Sequence, residues 1–143
     1  MKGELDTKGI EQQDFVCVAT FLPLKRWTDL IPFIMLSRKV LKQIKNSKGI
    51  ANYAVKADLP KKNFWTLSIW NDHESLKQFV PKEPHATAIK KLTEWAGEGS
   101  AFVEWTVPSK EIDWSEAMTK LENPLFIIRK NGIIYRLIQT FEI

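Results

Sequence analysis

Two side chains in this sequence are placed to do acid–base chemistry. His85 stands at the head of the helical run H-A-T-A-I-K-K-L-T-E-W-A, and Glu104 sits inside the extended run A-F-V-E-W-T-V. Near a helix N-terminus the dipole disfavours an imidazolium, so His85 reads as a neutral ring able to act as base, donor or haem ligand. The plainer reading is a hydrogen-bonded histidine at a helix start. Glu104 shares a strand face with Phe102 and Thr106. In a cavity it would serve as an acid or base; the plainer reading is an ion pair with a lysine, or a cavity end open to water. His73, between Asp72 and Glu74, reads as surface.

The stretch that must position these groups is 64–96. In F-W-T-L-S-I-W, alternation puts Trp65, Leu67 and Ile69 on one face and Phe64, Thr66, Ser68 and Trp70 on the other. The purely apolar face is expected to pack on helices. The mixed face, with two large rings, is expected to meet a half-wet cavity or a partner's sheet. Tyr53 joins Phe64, Thr66, Ser68, Trp70 and Phe102 as expected cavity lining; taken singly, each is equally an ordinary core or interface residue. Asn71 is the expected cap of a helix carrying Leu76, Phe79 and Val80, and Pro81 and Pro84 break that run before His85. In the helix that follows, His85, Ile89, Leu92 and Ala96 share one face, which is expected to be the apolar one.

The remaining elements fall around this stretch. Residues 1–13 read as a polar tail, 14–110 as the main domain and 111–143 as its extension. F-V-C-V-A-T-F-L is a buried strand ended by Pro23. A helix is expected over 29–46, capped by Asp29 and closed at Gly49, with its first half apolar nearly all round: buried, or a subunit contact. I-A-N-Y-A-V-K-A is a second strand, hairpinned to the third because about six linking residues are too few for a parallel crossover. Asp113 starts a short helix. Asn131-Gly132 marks a two-residue turn between apolar runs, a ribbon that must dock on this sheet or a partner's. The order β-α-β-β-α-β gives an α+β, ferredoxin-like antiparallel sheet with helices on one side. A second copy is the economical cover for the other side.

Composition sets further limits. The 143 residues suit one domain, and a net charge of +4 is spread along the chain. That spread indicates solubility rather than a nucleic-acid partner. The single cysteine, Cys17, forms no internal bridge and fits a reducing, cytoplasmic setting. No apolar run approaches the ~20 residues of a membrane span. There is no G-x-G-x-x-G, no P-loop, no G-x-S-x-G and no Cys/His cluster at zinc spacing, so no metal is expected.

The run F-W-T-L-S-I-W-N-D-H-E-S-L-K-Q-F-V, followed by P-H and later by S-A-F-V-E-W, resembles the dimeric α+β-barrel superfamily over about residues 14–122. That superfamily includes antibiotic-biosynthesis-type and spheroidene-monooxygenase-like proteins. The resemblance implies a homodimer with a cavity for a small, largely apolar molecule, and monooxygenase-like chemistry that runs without a cofactor or with haem, His85 then being the haem ligand. The fold hosts many activities, so a non-catalytic ligand-binding or assembly module stands beside the enzyme.

Overall fold

In the computed structural model the described residues are 14–123, 126–129 and 132–135, the side chains of 92, 93 and the last two strands excepted. The expected tail, 1–13, lies outside them. β1 is Phe15–Pro23, α1 Leu30–Lys45, β2 Ile50–Asp58 and β3 Asn63–Trp70. α2 is His73–Phe79, α3 His85–Trp95, β4 Ala101–Val107 and α4 Trp114–Leu121, with β5 Phe126–Arg129 and β6 Gly132–Tyr135 last. The sheet order is β2-β3-β1-β4-β5-β6, every pair antiparallel. The first four strands are the ferredoxin-like core. The C-terminal ribbon docks on its own sheet, through Ala101–Ile127 and Phe102–Phe126. Gly132 pairs with Arg129 and so belongs to β6; Asn131 of the expected turn lies outside the described residues.

Each face of the sheet takes helices from within the chain: the apolar face packs on one helix, as expected, and the mixed face, expected to meet a cavity or a partner's sheet, takes the other three. Cys17, Ala19, Leu67, Ile69, Val103 and Val107 point to the face that α4 covers through Ala117. Val16 and Trp70 point to the opposite face, where Ile44 of α1 and Leu76 and Phe79 of α2 pack on them. Phe64 lies 4.6 Å from Phe33 of α1, ring to ring. Helices α1–α3 therefore sit on the mixed Phe64–Trp70 face. Alternation separates two faces, but it cannot say which is covered when both carry large apolar groups. α4 also removes the need for a second copy over its own footprint: Leu67 and Ile69 are each 1% exposed in the single chain.

Local chemistry sets the boundaries. α2 is capped by Asp72 rather than Asn71: the Asp72 carboxylate accepts the Ser75 N–H at 2.8 Å, while the Asn71 N–H donates to the Gly49 carbonyl at 2.7 Å. Asp113 caps α4 in the same way, through the Glu116 N–H. Asp29 does not cap α1 with its side chain; its carboxylate is held by Arg26 at 3.0 Å. Gly49 has φ +91°, and a Cβ there would run into Ser75 of α2, so a glycine is needed both for the turn and for the approach of α2.

Two outcomes follow. Trp70→Ala should lower the unfolding free energy in urea by about 3–5 kcal/mol, the cost of a large buried ring. Thr66→Ala, on the same strand face but exposed, should stay within about 0.5 kcal/mol. Cys17 is 2% exposed, and burial, with the Glu116 carboxylate adding to it, pushes its thiol up to about 12. A thiol reagent at mildly alkaline pH should label the unfolded chain and leave the folded one unlabelled.

Candidate functional site

The expected lining residues do share one sheet face. Cross-strand register aligns Phe102, Thr20, Thr66 and Val55 in one row and Glu104, Val18, Ser68 and Tyr53 in the next. The helices cover this face unevenly. At one end Trp70 is sealed under α2, its ring 5.0 Å from Phe79. At the other end Phe33 meets Phe64 and, edge-on, Trp95. Between them the layer thins: Thr66 is exposed although its strand is interior to the sheet, and Val55 and Tyr53 are 53% and 36% exposed. Between the two covered ends, this face of the single chain is an open trough of hydroxyls and apolar side chains.

Part of the polar lining is already committed. The Trp70 indole N–H donates to the Ser68 hydroxyl at 2.9 Å. That bond lets a wholly buried indole keep a partner, and it places Ser68 and Trp70 in the packed end of the face rather than on the trough floor.

Glu104 finds an unforeseen partner. His73 Nδ1 lies 2.9 Å from its Oε2, with side-chain exposures of 55% and 27%. The Asp72 cap puts His73 at the first residue of α2, and docking that helix on Trp70 brings the ring over β4. When Nδ1–H donates to the carboxylate, the neutral ring keeps an unprotonated Nε2, the form that accepts a proton. Sequence inspection could find each residue but not the pair, which is created by the tertiary docking of α2.

His85 stands elsewhere, at the head of α3. Its ring packs at a tilt against Phe79, centroids 4.6 Å apart, its Nδ1 contacts the Val80 carbonyl at 2.9 Å, and its backbone N–H donates to Gln43 Oε1 at 2.8 Å. Gln43 also donates to the Phe79 and Lys82 carbonyls, tying α1 to the segment between α2 and α3. Burial lowers the pKa of His85 and outweighs the opposing contact with the Val80 carbonyl. Ile89, expected on the buried side of α3, is 42% exposed; Ala96 is buried.

A groove of about 480 Å³ runs beside this segment, lined by Lys39, Lys42, Gln43, Asn46, Glu83 and Pro84. Its walls are Pro84 and the largely aliphatic stems of the lysine, glutamine, asparagine and glutamate side chains, and His85 is not among them. The His85 ring is turned to Phe79 and the Val80 carbonyl and lines no part of this groove, so the groove does not fit the haem expectation. Among the described residues no three His, Cys, Asp or Glu side chains gather as a metal site, and no helix is long and apolar enough to cross a membrane.

The comparisons with known proteins agree with this architecture. A conserved protein of Methanosarcina mazei Go1 superposes with TM-score 0.58 at 17% identity, over 65% of this chain and 92% of its own. A Nitrosomonas europaea protein provisionally named an antibiotic biosynthesis monooxygenase gives 0.57 at 11% identity, over 66% and 90%. SnoaB, a cofactor-independent oxygenase from Streptomyces nogalater, gives 0.51 at 10%, over 70% and 96%. At such identities the likeness establishes the fold, that of the antibiotic-biosynthesis-monooxygenase-like proteins. No curated protein matches the sequence significantly. Residues 39–132 match the model of the family described as Domain of unknown function (DUF3291).

The His85 environment generates a pH prediction. A histidine held below its ordinary value binds fewer protons folded than unfolded, so its stabilising effect is complete above the unfolded value near 6.5 and shrinks as pH falls below it. The urea midpoint of the wild type should drop between roughly pH 7 and 5, and His85→Gln should flatten that drop. Asp72 and Glu83, lowered by their bonds to Ser75 and Thr87, add acid lability only at lower pH, in the carboxylate range.

Proposed function

Since the chain belongs to the DUF3291 family and carries this fold, we propose that it binds a small, largely apolar molecule in the trough on the helix-bearing face of its sheet and takes a proton from it. The His73–Glu104 pair supports this reading above all: an imidazole oriented by a carboxylate, half open to solvent, beside a floor of threonines, a phenylalanine and a valine. His73 is the proposed base. Glu104 orients the ring and balances the charge it acquires. Thr20 and Thr66 are hydroxyls available to a polar group on the ligand, and Phe102 and Val55 offer it apolar contact.

The monooxygenase version adds dioxygen and needs no cofactor. A doubly activated methylene gives one proton to His73 Nε2, and the carbanion electrons pass to dioxygen. A second hydrogen leaves the same carbon; one oxygen atom stays as a carbonyl and the other departs as water. Such a reaction selects a substrate whose carbanion is delocalised over aromatic rings, which also suits the apolar trough. His85 keeps the role of a core residue that holds the segment between α2 and α3.

A non-catalytic reading uses the same trough. The Ser68–Trp70 and His85–Val80 contacts favour it, because they commit to packing the groups first considered for chemistry.

The readings separate with anthrone as the probe. On the enzyme reading, wild-type protein accelerates deuterium exchange of its methylene without oxygen and consumes oxygen in air. His73→Ala should lose about 10²-fold or more of both rates, and Glu104→Gln should lose less. Bound probe with no exchange, and affinity unchanged in His73→Ala, would establish the binding module. No binding would sink both readings for this probe's chemical class.

A further inference from the structure

The outward face of α1 carries a pattern that neither the trough nor the core uses. Trp27, in the 3₁₀ turn before the helix, and Ile31 and Met35 are 54%, 64% and 59% exposed. With Arg38 and Lys42, both exposed, they fall at spacings of four, four, three and four, which puts Ile31, Met35, Arg38 and Lys42 in one stripe down the helix. The buried side of the helix, with Ile44, Val40, Leu41 and Phe33, points the opposite way. The stripe is thus apolar at its N-terminal end and cationic at its C-terminal end, where Lys39 and Lys45 are exposed as well.

Cations also gather at the apolar end. Lys62 Nζ lies 4.9 Å above the Trp27 ring, and the Leu24 N–H donates to the Lys62 carbonyl at 2.9 Å, fixing this loop beside the start of the stripe. Lys25 and Lys61 are exposed in the same two segments. The neighbouring acids are largely committed: Asp29 is held by Arg26, and Glu83, which shares the groove with Lys39 and Lys42, accepts from the Thr87 N–H.

We propose that this face docks on an anionic lipid surface, with Trp27, Ile31 and Met35 entering the headgroup–acyl boundary and Arg38, Lys39, Lys42 and Lys62 meeting phosphates. Charge complementarity argues for an anionic occupant. An amphipathic peptide seeks a groove, whereas these apolar side chains stand more than half exposed on a convex ridge. An aromatic and two flexible apolar groups flanked by lysine and arginine match the composition of helices that lie in a membrane interface.

The test is co-sedimentation of the full chain with vesicles of phosphatidylcholine alone or with about one-third phosphatidylglycerol. Binding should require the anionic lipid and weaken in high salt. Arg38→Glu with Lys42→Glu should lower it by at least about fivefold per charge removed. Ile31→Glu with Met35→Glu should abolish it while the urea midpoint stays unchanged. Should that double variant fold poorly, brominated acyl chains supply the second readout: they quench wild-type fluorescence, and Trp27→Phe loses most of that quenching. Absence of binding to anionic vesicles overturns the proposal, as does equal binding to neutral ones or quenching unaltered in Trp27→Phe. So does a wild-type dimer that Ile31→Glu with Met35→Glu splits, which would make a second copy the occupant.

Discussion

The burial of Trp70 is the constraint on which the arrangement depends. Its ring is wholly excluded from solvent, so something must cover the mixed face at that end of the sheet, and its indole N–H must find a partner there. Phe79, Leu76 and Ile44 supply the cover, and Ser68, two residues back on the same face, supplies the acceptor. Once α2 is committed to that position, its first residue stands over β4. The His73–Glu104 contact is therefore a consequence of where a tryptophan had to be buried.

The strands, the helices and their order were legible because each rests on local chemistry. Alternation in F-W-T-L-S-I-W, the Asp113 cap, the prolines before His85 and the short link between β2 and β3 all act within a few residues of themselves. Orientation was not legible. Trp65, Leu67 and Ile69 look like the better helix-packing face because it is the more apolar, yet Leu67 and Ile69 are sealed only by α4, an element 45 residues or more downstream. The expected lining residues still share one face, because register fixes that whichever side is covered, although Ser68, Trp70 and Phe64 are taken up by packing. Of the residues considered for chemistry, Glu104 could be picked out by its polarity amid an apolar strand. His73 could not: nothing between Asp72 and Glu74 distinguishes a solvated histidine from one that reaches across the sheet.

Covering the second face with α4 changes what the sheet asks of its surroundings. A two-layer α+β unit with one bare apolar face must find a partner. Here Ala117 closes against Cys17, Ala19 and Val103 within the chain. The β5–β6 ribbon pairs the β4 edge within the chain, so that β2 and β6 are the end strands of the sheet.

The His73–Glu104 pair bears little weight in the fold, and that bears on what it is for. A pair this exposed contributes about 0–1 kcal/mol at most. The start of α2 is already capped by Asp72, and its packing rests on Leu76 and Phe79. Removing the imidazole leaves no buried charge behind, since Glu104 can turn to water. The contact follows from the docking of α2 but is not itself needed for stability. A ligand lying on Thr66 and Phe102 would change that balance: it would exclude water from the carboxylate, strengthen the hold of Glu104 on Nδ1, and leave Nε2 facing the ligand instead of solvent.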